Sequence, residues 1–561
     1  MHHSRLISTL VILPLLALLV VSPAAAQGDE HGAHHHGAAS GDGLGDGLGE
    51  VHFAVSCVPA VQPDFDRAVA LLHSFEYEGA RNAFGDVAKR DPGCAMAHWG
   101  EAMTWYHPVW TAVPTPAELA SGAASVAAAS APPPKSERER AWIAAVGAFY
   151  RDHATVDHRT RALAYRDAMR ALMERYPDDT EAAIFYALLG VAPATDPSLA
   201  QQKQSAEILN RLLPSQPRHP GIVHYLIHAF DYPPTASLAL PAARVYAGLA
   251  PQSAHARHMP SHIFTRLGLW EESIASNWSS AEAAQAQIAR TRPGTTAFEA
   301  MHAYDYLEYA YLKLGQDRKA QEVADVVARA GEQVEGAFQA AYALSAVPAR
   351  YALERSEWRE AAAIPPSTAK IDWKPFAYAE AIVPFANTVG AARAGEVAQA
   401  KAALERLVAV QARVNPGPAG SYDWPGQVES LRLAAAGWVA RAERRDDEAV
   451  SLLTRAAELE ERVGKNPVTP GAVLPAREQL GDLLLELDRP AEALTAYEAS
   501  LAMAPNRYRG LAGAARAAEL AGHRERAVEL AATLRELCKA PACTRQTAPA
   551  SVGAGATGRE R

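Results

Sequence analysis

One pattern of small and large residues recurs along this chain with a period of about 34 residues. Its clearest copy begins near Leu474 and places a Leu-Gly pair, a tyrosine and a proline in fixed order. That copy comprises Leu480, Gly481, Leu484, Ala493, Tyr497, Ser500 and Pro505. Such a period is typical of paired helices that stack on their neighbours, because one unit alone cannot bury its apolar face. The repeat therefore predicts an all-α solenoid of helical hairpins.

The same frame occurs elsewhere in the chain. Further copies end at Pro177 and Pro251, and one near the N-terminus comprises Ala68, Leu71, Ala80, Phe84, Val87 and Pro92. Small residues let two helices approach, an aromatic ring fills the gap between units, and proline ends the second helix. This spacing is that of the tetratricopeptide repeat (TPR). We predict a TPR-like superhelix, either continuous or in two halves.

Composition is compatible with a helical protein and argues against one class of partner. The 561 residues are 49% apolar and 21% charged, which is ordinary for a soluble chain. Their 54 Lys and Arg against 63 Asp and Glu give a net charge of −9. Nucleic-acid binding needs a basic surface that replaces phosphate counterions, so we expect no nucleic-acid partner. After the N-terminal segment no apolar run is long enough to span a bilayer, so we predict no transmembrane segment.

The first 26 residues have the features of an export signal. A short basic start through Arg5 precedes a mostly apolar run from Leu6 to Val21, which is too short to span a bilayer comfortably. Ser22 to Ala26 then supply the small residues that signal peptidase recognises. We predict cleavage after Ala26 and a periplasmic or secreted protein. An uncleaved anchor is the alternative.

The rest of the chain divides by composition. A His- and Gly-rich leader is expected to be a disordered, solvated segment, with weak metal scavenging as the alternative. A capping box formed by Ser136 and Glu139 predicts a helix start after a loop rich in Ala, Ser and Pro. The predicted segments are the signal peptide 1–26, leader 27–50, N-terminal TPR units 51–111, loop 112–136, central TPR-like units 137–360, an irregular helical region 361–470, C-terminal TPR units 471–540 and a disordered tail 541–561.

Four cysteines form an even set, and export would place them in an oxidising compartment. Their placement predicts two disulfides, Cys57–Cys94 and Cys538–Cys543. The sequence has neither a CxxC nor a CxxCH motif, so it indicates neither a thioredoxin-like centre nor a c-type haem.

Several short motifs resemble those of exported bacterial TPR proteins. They are Ser56-Cys57, Phe65, Leu71–Phe75, Asp91-Pro92, Cys94–Ala97, His107-Pro108-x-Trp110, His219-Pro220-Gly221, His224-Tyr225-x-x-His228-Ala229-x-Asp231 and His255–Phe264. The resemblance covers roughly residues 51 to 540 and implies the same fold and an envelope location. It implies no activity, because none is established for that family.

Histidines are the main candidates for chemistry. Two lie at i and i+4, and three more at i, i+3 and i+7, so each set shares one face of a helix. Both sets fall on first helices of consecutive units, which line the concave surface of such a solenoid. The candidate metal ligands are His224, His228, His255, His258 and His262. Asp231 is placed to orient one of them, and His302 and Asp305 to close the site.

Imidazole clusters suit Zn, Cu, Ni or Fe, so a divalent transition metal is the possible cofactor. The competing interpretation is a buried polar network that needs no metal. Pro260 would break or bend the helix that carries His255 to His262. A second histidine and tryptophan group is a candidate lining for the binding groove, with core packing as the alternative: His73, His98, Trp99, His107 and Trp110.

Standard enzyme signatures are absent from the sequence. It contains no HExxH, GxSxG, GxxxxGK or strand-associated GxGxxG motif, so catalysis is uncertain and given the lower weight. The preferred hypothesis is an exported TPR scaffold that binds a protein, a peptide or a small ligand on its concave face. The alternative is a metal-binding protein or metalloenzyme that uses the histidine cluster.

Overall fold

A computed structural model describes most of the chain. The described residues are 47–108, 113–131, 134–192, 198–330, 333–417, 421–539, 543 and 545. The predicted signal peptide, nearly all of the leader and most of the tail therefore lie outside the described residues, as does Trp110.

The described residues are helical, and none of them belongs to a strand; Thr296 and Val334 form one isolated bridge. The α-helices are α1 Gln62–His73, α2 Tyr77–Arg90, α3 Ala95–Met103, α4 Pro116–Ser130, α5 Glu137–Tyr150, α6 His158–Arg175, α7 Thr180–Val191, α8 Ala200–Leu212, α9 Pro220–Phe230, α10 Leu240–Leu249, α11 Ala254–His258, α12 Pro260–Leu267, α13 Trp270–Thr291, α14 Phe298–Lys313, α15 Asp317–Ala330, α16 Phe338–Glu354, α17 Trp358–Ala362, α18 Ala377–Glu380, α19 Ile382–Arg393, α20 Val397–Gln411, α21 Trp424–Ala442, α22 Asp446–Val463, α23 Ala476–Glu486, α24 Pro490–Met503, α25 Tyr508–Leu520 and α26 Arg524–Leu537. Short 3-10 helices cover Pro59–Val61, Ala236–Ala239 and Lys374–Phe376.

These helices pack as stacked hairpins, which confirms the predicted all-α repeat architecture. Helices that follow each other in sequence pack together, as α1 does with α2 and α21 with α22. First helices of successive hairpins also touch, so that α7 packs on α9, α9 on α12, α11 on α14 and α14 on α16. Among the described residues no helix combines the length and the apolar character that crossing a membrane requires.

Close approach between the helices depends on glycines that face aromatic rings. A Cβ atom on Gly100 would lie 2.4 Å from the ring of Phe84, and one on Gly481 would lie 2.7 Å from Tyr497. Both rings belong to the repeat pattern. The small residues of that pattern therefore make room for the large ones.

Two main apolar cores run through the described residues. One extends from Leu48 to Phe264 and the other from Ala341 to Leu534. In the first part α1 packs against α9, and in the second α25 packs against α14. Helix α14 thus lies where the two parts meet.

A network of buried charges ties the C-terminal helices to α14. The guanidinium of Arg507 donates to Glu478 at 2.7 Å, to Tyr309 at 2.8 Å and to Glu354 at 2.8 Å. Lys313 also contacts Glu354. Burial favours the neutral form of that carboxyl group, but Lys313 and Arg507 outweigh it and lower the Glu354 pKa well below its usual range. Removal of Arg507 would leave Glu354 with Lys313 alone and take from Glu478 its closest cation.

Two predicted segments differ from the structure. The prediction of a loop over 112–136 is wrong for residues 116–130, which form α4. Thr115 and Glu118 make a capping box there, and Pro at the first helical position followed by an Ala-rich stretch favours a helix. The region 361–470, predicted to be irregular and helical, is helical but more regular than predicted, because α19 to α22 are regular helices. Helix breaks within it include 363–373 and the segment that follows Val463.

The predicted start of α5 is correct, although its capping box is incomplete. Ser136 accepts a hydrogen bond from the Glu139 N–H. The Glu139 carboxylate instead accepts from the backbone N–H of Ser56 at 2.6 Å and from its hydroxyl group. This contact holds the segment before α1 against α5.

Both predicted disulfides are present. Cys57 and Cys94 are joined with their Cα atoms 4.8 Å apart, and Cys538 and Cys543 with theirs 5.4 Å apart. The first bridge ties the segment before α1 to the start of α3. No free cysteine lies among the described residues.

Substitution Gly100→Ala should lower the free energy of unfolding by about 1–3 kcal/mol, because the new methyl group overlaps the Phe84 ring. Gly248→Ala is the matched control, since Gly248 is also helical but its Cβ would meet nothing within 4 Å. It should stabilise by about 0.5–1 kcal/mol through helix propensity. Urea denaturation measures both. Equal stability of the two variants would contradict the packing role of Gly100.

Substitution Arg507→Ala should destabilise the protein by about 3–5 kcal/mol, because buried Glu478 loses its closest cation and buried Glu354 loses one of its two. Arg526→Ala is the control. Arg526 pairs with Glu498 at the surface, and loss of this pair should cost about 1 kcal/mol or less. Thermal unfolding followed by circular dichroism distinguishes the two, and a small effect of Arg507→Ala would show that the buried network is dispensable.

Candidate metal centre

Six histidines from four helices meet where the two parts of the protein join. Helix α9 supplies His224 and His228, and α14 supplies His302. The segment from His255 to His262 is divided at Met259 into α11 and α12, because Pro260 lacks the N–H that a continuous helix needs. Helix α11 carries His255 and His258, and α12 carries His262.

The six imidazoles form two triads rather than one cluster of five between two helices. The first triad, which we call triad A, is His224, His228 and His255; the second, triad B, is His258, His262 and His302. Within each triad the nitrogen atoms that face one another all lie within 4.8 Å. His255 and His258 both lie on α11 but join different triads, whereas His258 and His262 join the same triad across the break at Met259.

In triad A the Nε2 atom of His224 is the centre of the arrangement. It lies 3.1 Å from His228 Nε2 and 3.1 Å from His255 Nε2. The other ring nitrogen of His224 donates to the carbonyl oxygen of His73 at 2.6 Å. That hydrogen bond fixes the tautomer, so the His224 Nε2 atom carries a lone pair.

In triad B the same argument applies to two rings. His258 donates from Nδ1 to Asn277 Oδ1 at 2.7 Å, and His262 donates from Nδ1 to Asp231 Oδ2 at 3.1 Å. The amide orientation of Asn277 is set by its own NH₂ group, which donates to the carbonyl of Ser273 at 2.7 Å. Both Nε2 atoms therefore carry lone pairs, and they face each other at 3.0 Å.

Two buried lone pairs at this distance repel each other unless a cation lies between them. A proton is disfavoured, because burial lowers the pKa of His258 well below its ordinary value and also lowers that of His262. Burial likewise lowers the pKa of His228 to about 3. The imidazoles are thus neutral near pH 7, which is the form that binds metal ions.

The spacing of the nitrogens fits a transition-metal ion. Ligand nitrogens at about 2.0–2.1 Å from a tetrahedral ion lie about 3.3 Å from one another. Three Nε2–Nε2 separations within the triads, 3.0, 3.1 and 3.1 Å, are close to that value. The outer hydrogen bonds from His224, His258 and His262 to a carbonyl, an amide and a carboxylate are the kind that orient metal ligands.

Asp231 is the charged support of triad B. Its carboxylate accepts from Arg266 at 2.8 Å and lies 3.5 Å from the Lys465 ammonium group. Burial opposes its ionisation, but Lys465 and Arg266 outweigh this and hold the pKa of Asp231 well below its usual range. The carboxylate therefore stays ionised, and it keeps the proton of His262 on Nδ1.

A small cavity borders both triads. Its volume is about 20 Å³, which is room for about one water molecule. Its walls are Phe75, His228, His255, Met259, His262, His302, Pro467 and Val468. The segment after α22 covers it with two apolar residues and reaches Asp231 through Lys465.

A third histidine group is a closed hydrogen-bond network. The Glu181 carboxylate accepts from His73 Nε2 at 3.0 Å and from His219 Nε2 at 2.9 Å. The other nitrogens are used as well, because His73 Nδ1 pairs with the Tyr225 hydroxyl at 2.8 Å and His219 Nδ1 accepts from the Ile222 N–H. This group satisfies itself without an ion, and its His73 carbonyl supports triad A.

Other residues predicted to line a groove lie elsewhere. Trp99 is fully buried among Phe53, Trp142 and Phe185, which is the core packing given as the alternative. Asp305, predicted to close the metal site, is buried in an ion pair with Arg350 at 3.0 Å. Other predicted residues stand apart from both triads or outside the described residues. His98 pairs with Glu101 on α3, and His107 contacts the Thr104 carbonyl. His73 belongs to the Glu181 network. Trp110 lies outside the described residues.

Sequence patterns did not reveal several residues of the centre. Asn277 and Ser273 lie at i and i+4 on α13, so a polar stripe on an otherwise buried face was the available signal. The loop that contains Lys465, Pro467 and Val468 lies more than 160 residues after His302 in the sequence. No local pattern connects this loop to the histidines.

Substitution Glu181→Gln should destabilise the protein by about 1–3 kcal/mol, because the amide has one oxygen for two imidazole N–H donors. Glu101→Gln is the matched control, since that carboxylate pairs with one half-exposed histidine, His98. Its effect should be about 1 kcal/mol or less. Urea denaturation gives both values. An unchanged free energy of unfolding in the Glu181→Gln variant would contradict the closed network.

Comparison with known proteins identifies no family. No protein-family model matches the chain, and no curated protein matches it. Solved structures similar to it include a tetratricopeptide repeat protein from Parabacteroides merdae, with 11% identity, coverage of 62% of this chain and 98% of that one, and a TM-score of 0.33.

Two further similar structures are parts of complexes. The APC/C hetero-tetramer Cut9-Hcn1 has 11% identity, coverage of 85% and 89%, and a TM-score of 0.30. Naa15/Naa10 bound to HypK has 12% identity, coverage of 85% and 70%, and a TM-score of 0.23. Scores this low support no inference about function, and the repeat architecture rests on the helices themselves.

Proposed function

We propose that this helical repeat protein binds transition-metal ions through its two histidine triads. The observation that carries the proposal is the facing pair of Nε2 lone pairs on His258 and His262, 3.0 Å apart and buried. Asn277 and Asp231 hold both rings in this tautomer, so a protein-only network leaves the pair repulsive. A metal ion turns that repulsion into two coordinate bonds.

The ligand chemistry narrows the choice of metal. Each triad offers three neutral imidazoles, a set that suits Zn, Cu, Ni or Fe rather than Mg or Ca. Three protein ligands leave a fourth position of a tetrahedral ion for water or another ligand. This favours a reactive or exchangeable site over a closed structural one.

We prefer metal binding to the scaffold hypothesis because other segments of the chain cover the first helices near the triads. The segment that contains Pro467 and Val468 lies over the triads, and Arg507 at the start of α25 contacts Tyr309 of α14. A peptide would need that surface to be open. Binding of a protein, a peptide or a small ligand elsewhere on the concave face stays a proposal from the repeat pattern.

We also propose that the protein is exported. The predicted signal peptide, with cleavage after Ala26, would place the chain in the periplasm or outside the cell. The two disulfides support an oxidising compartment, because such bridges are rare in reducing ones.

Elemental analysis of the full mature chain, purified without a His tag or chelators, should show stoichiometric transition metal. The double substitution His228→Ala and His258→Ala should remove it, because each triad loses one ligand. The melting temperature should fall as well, because the bound ions stabilise the folded state.

Two controls separate the centre from adventitious binding. His98→Ala removes a histidine outside both triads and should leave the metal content unchanged. Replacement of the leader histidines His31, His34, His35 and His36 by Ala should also leave it unchanged. Metal far below one ion per chain in the parent protein, after loading and dialysis, would refute the proposal and favour a structural role for the histidines.

A further inference from the structure

We propose that triads A and B form one dinuclear centre in which two transition-metal ions share a small bridging anion, such as hydroxide. This inference rests on the proposed metal binding and adds the coupling of the two sites and the class of their ligand. It is carried by the contact between the triads, the cavity that both border and the charge balance of the site.

The two triads adjoin, and one pair of rings across them is as close as the most widely separated pair within triad A. The ring centroid of His228 lies 6.5 Å from that of His262 in triad B and also 6.5 Å from that of His255 in its own triad. Helix α11 supplies one ligand to each triad, and these ligands are only three residues apart in sequence, at 255 and 258. A shift of α11 would therefore change both metal sites together.

Both triads open onto the same cavity. His228 and His255 of triad A and His262 and His302 of triad B line it. With three imidazoles on each ion, the fourth position of each remains available, and the shared cavity is the space that borders both. Its volume of about 20 Å³ admits a ligand of very few atoms and excludes larger ones.

Charge favours an anion in that cavity. Imidazoles coordinate metal ions in their neutral form, so two divalent ions would bring four positive charges into a buried site. The single negative charge of Asp231 already faces two cations, Arg266 and Lys465, and its carboxylate contacts the centre through His262. The remaining walls, Phe75, Met259, Pro467 and Val468, carry no charge. A bridging anion such as hydroxide would lower the net charge and bind both ions at once.

Copper is the probe that reports the bridge directly, because two Cu(II) ions coupled through one anion lose their electron paramagnetic resonance (EPR) signal. The full chain, freed of metal with a chelator and reloaded with Cu(II), should bind two ions per chain. Its EPR spin count should be far below its copper content. Azide should displace the bridging ligand and change the visible absorption spectrum.

The matched variants test each triad. His302→Ala should leave one Cu(II) per chain with a full EPR signal, because only triad A remains complete. His224→Ala should do the same through triad B. His98→Ala should behave like the parent protein. Circular dichroism confirms that each variant is folded, and His302→Gln, which keeps a polar side chain of similar reach, replaces His302→Ala if that variant does not fold.

The outcomes separate this inference from the proposed function. Two Cu(II) ions per chain with a full spin count would overturn the dinuclear centre and leave metal binding intact. One ion per chain in the parent protein would overturn it as well. Absence of bound copper, and of any other transition metal, would overturn both proposals.

Discussion

Hydrogen bonds to the outer nitrogens of the histidines determine what the centre of this protein can do. A carbonyl of the α1 C-terminus, an amide on α13 and a carboxylate after α9 each accept a proton from one ring. Because an acceptor fixes each of these protons on Nδ1, the Nε2 lone pairs of His258 and His262 face each other, and that of His224 faces His228 and His255. The helices around them serve to bring these three acceptors and six rings to one place.

The repeat architecture makes that convergence possible. First helices of neighbouring hairpins pack side by side, so α9, α11, α12 and α14 present their inner faces to a common region. The three histidines of one segment are divided between the two triads, with His255 in triad A and His258 and His262 in triad B.

Buried charge shapes the surroundings of the site. Lys465 and Arg266 keep Asp231 ionised, and the network around Arg507 holds the second part of the protein against α14. The Glu181 group shows what a satisfied histidine network looks like in the same fold, because every nitrogen there has a protein partner. Triad B differs from it because the Nε2 lone pairs of His258 and His262 face each other, and this difference is the physical basis for proposing that metal binds there.

Sequence alone determined the helical repeat, the cysteine pairs and the identity of five candidate ligands, because periodicity and spacing act over a few turns of helix. It misplaced α4, since proline and serine at the ends of an Ala-rich segment resemble a loop. Only the tertiary structure decided that His302 belongs with His258 and His262, that Trp99 and Asp305 are buried elsewhere, and that Asn277 and Lys465 support the centre. These relations join residues that lie far apart along the chain, and packing between helices rather than local pattern brings them together.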